Sequence, residues 1–325
     1  MNIKLLEALR RAEPEWVSSE VLRQPSGVSR AAISKQIKGL QGLGYEIESS
    51  PRKGYRLIRD PDSLRGEVIQ AFLHGTRFAD GEYVYKEVTG STNDDIRLLA
   101  REGALEGSVV VSEVQEAGRG RRGRPWFGRA GDSLQFSVLL RPPLSPQDST
   151  LLPLLAATAV FRALRRMGVD GVEIKWPNDV LIRGRKVCGI LCEMSVDMEG
   201  IQYAMLGIGM NVNTPGEQFP RELWEIACSL ASETGRSWRR SQVLTDVLRQ
   251  METLVEQSWD GDTSGILSGW REGAVTPGQH VHVEMGNGTI LQGTAEDVND
   301  QGALLVRDEA GVLHILYSGE VSLGK

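Results

Sequence analysis

The 325-residue sequence predicts an α+β protein of several domains. Three observations predict it. Helical apolar spacing fills the first sixty residues and ends in a two-strand pattern. Strand and helix patterns then alternate to about residue 270, as in a mixed sheet with helices on one face. After Trp270, short strands separated by glycine-rich turns suggest a small β-barrel. The expected domains are therefore 1–62, 63–270 and 271–325.

Length and composition are those of a soluble globular protein with at least one sizeable core. Hydrophobic residues make up 40% and charged residues 25%, so neither disorder nor a membrane protein is indicated. The longest apolar stretches, such as 151–161, are too short to cross a bilayer. The first fifteen residues lack the apolar core and cleavage site of a signal peptide, so the expected location is the cytoplasm. Cys188 and Cys192 lie in one strand about 13 Å apart, beyond disulfide reach and awkward for a shared metal ion. They read as reduced core residues. The net charge of −6 is unevenly spread: residues 1–60 carry +4 and the remainder −10, so an anionic partner is indicated for that end alone.

The N-terminal elements come in a definite order. Ile3, Leu6 and Leu9 form the stripe of a first helix. Ser18 or Ser19 caps a second helix carrying Val21 and Leu22, which Pro25, Ser26 and Gly27 break. Ser29 caps a third, where Ile33, Ile37 and Leu40 have the spacing of a buried face, and Gly42 or Gly44 ends it. Strands at 45–48 and 55–58 flank a turn containing Arg52 and Lys53. This is a winged helix pattern, whose third helix enters a DNA major groove while the wing contacts phosphates. Ser29, Arg30, Ser34, Lys38, Arg52 and Lys53 are the candidate DNA contacts. The alternative is a solvated charged face; the agreement of turn, cap, stripe and basic wing favours DNA. Residues 59–62 read as a linker.

In the middle region, strands are expected at 83–88, 108–114, 134–140, 173–175, 180–182, 187–194 and 202–212, and helices at 151–167 and 240–259. Beyond residue 270, Val281, Val283, Ile290, Leu304, Val306, Leu313, Ile315 and Val321 mark the short strands.

The loop GRGRRGRPW at 118–126 fits a dinucleotide fingerprint, G-x-G-x-x-G, after a strand. Its third glycine should open a helix, yet Gly123 is followed by Arg124, Pro125, Trp126, Phe127 and Gly128. No acidic residue follows at the required distance, and no phosphate-binding G-x-x-x-x-G-K motif occurs anywhere. What remains is an arginine–glycine loop backed by an aromatic pair, suited to wrapping a small anion and shielding it from water. A second constellation is KWPND at 175–179 with RGRKVCGIL at 183–191. Lys186 is a candidate electrophilic clamp, and Asp179 is placed either to bind Mg²⁺ or to act on an acceptor amine. Residues 89–94, TGSTND, read as a loop and helix N-cap before Ile96.

The ordered set STN at 91–93, QxxGRGRRGRxW at 115–126, KWPND at 175–179, RKxxGIL at 185–191, GxGxN at 207–211 and SGEVSL at 318–323 resembles the biotin–protein ligases over nearly the whole chain. The winged helix makes it similar to the subclass that also represses the biotin operon. That resemblance implies a central fold like class II aminoacyl-tRNA synthetases and biotin ligases, and an SH3-like C-terminal barrel. It implies ATP with Mg²⁺ as co-substrate, biotin as substrate, a biotin carboxyl carrier protein as acceptor, operator DNA as partner, and a homodimer spanning two half-sites. By resemblance, Ser91, Thr92, Asn93 and Gln115 would hydrogen-bond biotin, and Arg119, Gly120 and Arg121 would line the biotin or adenylate phosphate. Trp126 would pack on the biotin side, and Trp224 would sit on a second loop over the adenine. Lys186 would contact carboxylate and then α-phosphate. Asn178, Asp179 and Asn211 match positions near metal, phosphate or acceptor lysine. Lys186, Arg121 and Asp179 are the candidate catalytic residues, with Asp179 the candidate metal ligand. Family repressors carry an apolar residue and an alanine in the second helix where this chain has Ser26 and Arg23. Two rival readings are a DNA-binding carboxylate sensor without ligase activity and a lipoate–protein ligase.

Overall fold

The computed structural model describes residues 3–26, 29–286 and 288–323, with the backbone alone at residues 3, 24–26 and 30. The chain forms two compact units, Met1–His74 and Gly75–Lys325. The first contains α1 (Ile3–Ala12), α2 (Ser19–Ser26), α3 (Arg30–Gly42), the hairpin β1 (Glu46–Ser50) and β2 (Gly54–Arg59), and α4 (Gly66–Phe72). Residues 59–62 do not end this unit, because α4 adds Val68 and Phe72 to its core.

That core is built from the predicted stripes. Leu6, Leu9, Leu22, Ile33, Ile37 and Leu40 are buried together with Tyr45, Ile47 and Leu57 of the hairpin. Val21, expected beside Leu22, is exposed: it lies 100° round the helix from Leu22, on the side turned to solvent. α2 also runs through Pro25 to Ser26 rather than stopping before it; proline keeps a helical φ and forgoes one hydrogen bond in the last turn. Gly27 and Val28, and the Arg30 side chain, lie outside the described residues. Ser29 caps α3, its hydroxyl accepting from the Ala32 N–H at 3.3 Å. Ser34, Lys38, Arg52 and Lys53 are exposed.

The hairpin is held beside its turn. Val17 and Tyr55 exchange backbone hydrogen bonds of 2.7 and 2.9 Å, and Trp16 lies beneath Lys53 and Arg56, at 5.7 and 4.9 Å from its ring. Gly54 makes this contact possible: its φ is +97°, and a Cβ there would overlap the Val17 carbonyl.

The second unit contains α5 (Arg77–Asp80), β3 (Tyr83–Thr89), α6 (Thr92–Arg101), β4 (Val109–Gln115), β5 (Ser133–Leu140), α7 (Leu151–Arg166), β6 (Val172–Lys175), β7 (Asp179–Ile182), β8 (Arg185–Asp197) and β9 (Gly200–Asn211). Then come α8 (Leu230–Thr234), α9 (Arg240–Trp259) and α10 (Ser264–Gly273). The sheet order is β3-β4-β5-β9-β8-β7-β6. β3–β4 is parallel and every other pairing is antiparallel. The expected strands and both long helices are all present.

The helices do not all share one face, contrary to the expectation from the alternation. Register places Ile174, Val180, Cys188, Met210 and Leu134 on one side, where Gly273 of α10 meets Ile174 and Phe161 of α7, and α9 packs on α7. Ile96 and Ala100 of α6 pack instead on Val110, Leu139 and Met205, the opposite side. Helix α6 thus shares a face with the cavity described below. All three cysteines are free, and burial pushes the Cys192 and Cys228 thiols up to about 12.

The C-terminal stretch is a five-stranded antiparallel sheet, ordered β13-β12-β11-β10-β14, from β10 (His280–Glu284), β11 (Ile290–Val298), β12 (Leu304–Arg307), β13 (Leu313–Leu316) and β14 (Glu320–Leu323). Val281, Val283, Leu304, Val306 and Val321 are buried, whereas Ile290, Leu313 and Ile315 are exposed. Among the described residues no helix is long and apolar enough to cross a membrane.

The Gly54 contact yields a prediction. Gly54→Ala should lower the stability of the N-terminal unit by about 1–3 kcal/mol through backbone strain, read as a lower urea midpoint at unchanged slope. An unchanged midpoint would show that the hairpin does not depend on this approach.

Candidate active site

Strand β5 is buried throughout, and it alternates polar and apolar residues. Leu134, Phe136 and Val138 face the helix layer. Ser133, Gln135 and Ser137 face the opposite side. Buried polar groups need partners, and Gln135 and Ser137 find them in the segments predicted to bind ligand. Gln115, at the end of β4, donates to Gln135 Oε1 at 3.0 Å and accepts from the Thr92 N–H at 2.7 Å. Ser137 Oγ lies 2.7 Å from Thr92 Oγ1 and 2.6 Å from Asn93 Oδ1. Ser91 occupies the N-cap position of α6 as expected, but makes no side-chain cap bond. Its side chain lines the cavity instead.

Thr92, Asn93 and Gln115 of this polar row form one wall of a cavity, with Gln135 and Ser137 behind them. The floor is β8 and β9 where they carry glycine. A Cβ at Gly207 would overlap the Asn93 carboxamide, and one at Gly209 would enter the Trp126 ring. The absence of side chains there lets α6 and the arginine–glycine loop lie directly on the sheet. The loop makes a single 3₁₀ turn at Arg121–Gly123 and no α-helix, as its sequence implied. Arg122 and Gly123 take positive φ values of 58° and 73°. Phe127 continues the loop's aromatic side, stacking on Phe219 with ring centres 5.7 Å apart.

Arg119 lines the cavity while holding Asp94 of α6 through two hydrogen bonds of 2.8 and 2.7 Å. Those bonds draw the Asp94 carboxyl down to about 2. The far half of the loop is tied to the C-terminal sheet. Arg122 pairs with Glu284 at 2.7 Å, and Arg124 donates to Glu320 at 2.7 Å.

A second cavity adjoins the first and is cationic. Arg121, Arg122, Arg124, Lys175 and Lys186 line it with Asp179 and Glu320. Arg121 donates to the Gly319 carbonyl at 2.9 Å and to Asn178 Oδ1 at 3.3 Å. Burial pushes both the Arg121 guanidinium and the Lys175 ammonium below their ordinary values, so a bound anion would relieve both. Lys186 and Asn178 line both cavities. Lys186 is 2.6 Å from Asp179 and 5.7 Å from the centre of the Trp126 ring. The turn holding Asn178 and Asp179 is fixed by Asn178 Nδ2 donating to the Ile190 carbonyl at 2.8 Å.

The structure therefore brings together Ser91, Thr92, Asn93, Gln115, Arg119, Gly120, Trp126 and Lys186 at the first cavity, and Arg121, Asp179 and Lys186 at the second. Asn211 does not line either one. It is buried, with Nδ2 donating to the Cys228 carbonyl at 3.1 Å and Oδ1 unpartnered. Trp224 is exposed and donates to the Phe219 carbonyl at 2.7 Å. Sequence reasoning missed Gln135, Ser137, Lys175 and the glycine floor. The serine–glutamine–serine alternation inside an apolar strand was the signal for the first two. For Lys175 there was none beyond its place in KWPND.

Comparison with known proteins agrees with this geometry. The biotin/lipoate A/B protein ligase family model matches residues 85–211, the biotin protein ligase C terminal domain 276–324, and an HTH domain 2–56. The chain is 35% identical to the bifunctional ligase/repressor BirA of Bacillus spizizenii over 98% of each chain. It is 31% identical to that of Escherichia coli over 99% of this chain and 96% of the other. Among solved structures it is similar to the biotin protein ligase from Aquifex aeolicus in complex with biotin and ATP, with TM-score 0.64 and 28% identity, covering 75% of this chain and 99% of that one. The motifs that build the two cavities are those of the biotin protein ligases, and the chain belongs to that family.

Proposed function

We infer that this protein is a biotin–protein ligase that also represses transcription through its winged helix. It joins the biotin carboxylate to the α-phosphate of ATP, releasing pyrophosphate, and then transfers biotin from biotinyl-5'-AMP to a lysine of a biotin carboxyl carrier protein, releasing AMP. The observation that carries this reading is the pair of adjoining cavities, one rich in hydrogen-bonding groups and one cationic, with Lys186 lining both. A neutral, ring-shaped ligand with a carboxylate tail suits the first, and a triphosphate suits the second.

The chemistry must bring two anions together. Lys186 supplies positive charge where the carboxylate and α-phosphate would meet, and Arg121 and Lys175 supply it on the pyrophosphate side. Asp179 holds Lys186 in place. Mg²⁺ enters as part of the ATP substrate and stabilises the departing pyrophosphate. No group of three or more acidic, histidine or cysteine side chains is placed to bind a metal among the described residues, so an ion held by Asp179 would take its remaining ligands from phosphate and water. The loop over Trp126 shields the mixed anhydride from hydrolysis. Exposed Ser34, Lys38, Arg52 and Lys53 on α3 and the wing support DNA contact. A homodimer would place two such units on two half-sites, and a cytoplasmic location follows from the carrier and operator partners.

Incubation with biotin, Mg·ATP and a carrier domain should raise the carrier mass by one biotinyl group. Lys186→Met should slow biotin-dependent pyrophosphate release by roughly a hundredfold to a thousandfold. No mass gain with the unaltered protein sinks the ligase reading, and pyrophosphate release separates it from a sensor that performs no chemistry. Competition by lipoate distinguishes the remaining rival.

Gly209→Ala should displace Trp126 and weaken biotin binding by about 1–3 kcal/mol, roughly tenfold to a hundredfold, measured by titration calorimetry. An unchanged Kd would remove Trp126 from the pocket wall. For the winged helix, the gel shift of an operator fragment should weaken steeply with salt and strengthen when biotin and ATP are present. Equal affinity for unrelated DNA would refute the repressor role.

A further inference from the structure

Glu193 lies on β8 outside the lining of the biotin cavity, yet it touches the residue at that cavity's deepest corner. Asn93 is 3% exposed, and its Nδ2 donates to Glu193 Oε2 at 2.7 Å. The Glu193 carboxylate also pairs with Arg97 at 3.1 Å and lies 3.8 Å from Arg119. Its carboxylate oxygens thus face two guanidinium groups and accept the Asn93 hydrogen bond.

That contact propagates. Because Glu193 accepts, Asn93 turns its amino group toward it. The carboxamide oxygen then faces Ser137, 2.6 Å away. An amide oxygen cannot donate, so the single Ser137 proton goes to Asn93. Ser137 Oγ also lies 2.7 Å from Thr92 Oγ1, whose own hydroxyl donates to Gln115 Oε1 at 3.0 Å. Gln115 Oε1 also accepts from the Thr92 backbone N–H at 2.7 Å. The Asn93 carboxamide is thus held in one orientation, its oxygen toward Ser137 and its amino group toward Glu193, and it lines the cavity in that orientation.

We propose that Glu193 is a positioning residue that sets the donor–acceptor order of the biotin pocket through Asn93. The proposal rests on the ligase reading, since it takes biotin as the occupant. A role confined to the Arg97 and Arg119 ion pairs would leave that order untouched, so the two are separable by exchanging chemistry across the Glu193–Asn93 contact. Glu193→Gln lets residue 193 donate and lets Asn93 flip. Asn93→Asp sets two carboxylates against each other. The double variant Asn93→Asp, Glu193→Gln restores the order: the glutamine amino group donates to the aspartate, which presents an acceptor to Ser137 again.

Biotin affinity of the full chain would be measured by titration calorimetry without ATP, with ATP KM recorded separately. Each single variant should raise the biotin Kd roughly tenfold to a hundredfold with ATP KM changed less than about threefold. The double variant should return Kd to within about fivefold of the unaltered protein. Additive losses in a double variant that melts normally, or an unchanged Kd in a folded Glu193→Gln, would overturn the proposal. If Glu193→Gln alone does not fold, recovery in the double variant still supports it and failure of the double to bind overturns it. Absence of biotin binding by the unaltered protein removes the ligase reading and this inference together, whereas binding without rescue removes only the inference.

Discussion

Three glycines on the site face of β8 and β9 govern how close anything can come to the sheet. Without side chains at Gly189, Gly207 and Gly209, the Asn93 carboxamide and the Trp126 ring lie at contact distance from the backbone. The polar row of β5 can then be completed by residues of α6 and β4 rather than by solvent. A row of this kind is costly to bury unless every member is paired, and here Gln135, Gln115, Thr92, Ser137 and Asn93 satisfy one another. The glycine floor therefore fixes both the depth of the pocket and the identity of its walls.

The loop over that floor is held at both ends by charge. Arg119 is fastened to Asp94 at the start of α6, and Arg122 and Arg124 are fastened to Glu284 and Glu320 of the C-terminal sheet. Exposed ion pairs contribute little individually. A set that spans the loop narrows the orientations it can take, leaving Arg121 between the two anchors and directed at Gly319 and Asn178. Neutral recognition and cationic chemistry thus occupy adjoining spaces. Lys186 is the charged side chain that lines both, paired with Asp179 at 2.6 Å.

The helical and strand periodicities were legible because each reports a buried face directly. Ile33, Ile37 and Leu40 went inward as spaced, and all seven central strands lie where alternation or apolar runs placed them. The exceptions have local causes. Val21 lies on the solvent side of the short helix whose other side carries Leu22, and Pro25 is tolerated in a last turn. The side on which α6 packs was not legible, since its stripe of Ile96 and Ala100 would fit either face of a sheet buried on both.

Sequence alone determined the chemistry of the site. The order of STN, the arginine–glycine loop, KWPND and Lys186 names the groups that can neutralise phosphate and hydrogen-bond a ring, because side-chain type sets charge and donor capacity wherever the chain goes. Tertiary structure alone decided which of them meet. It placed Arg121 with the phosphate-side cations rather than with Arg119, kept Asn211 beneath the Cys228 loop, and brought Glu193 to Asn93 across a hundred residues. Those contacts depend on strand register and on glycine at three positions, quantities set by pairing between distant segments and therefore absent from any local pattern.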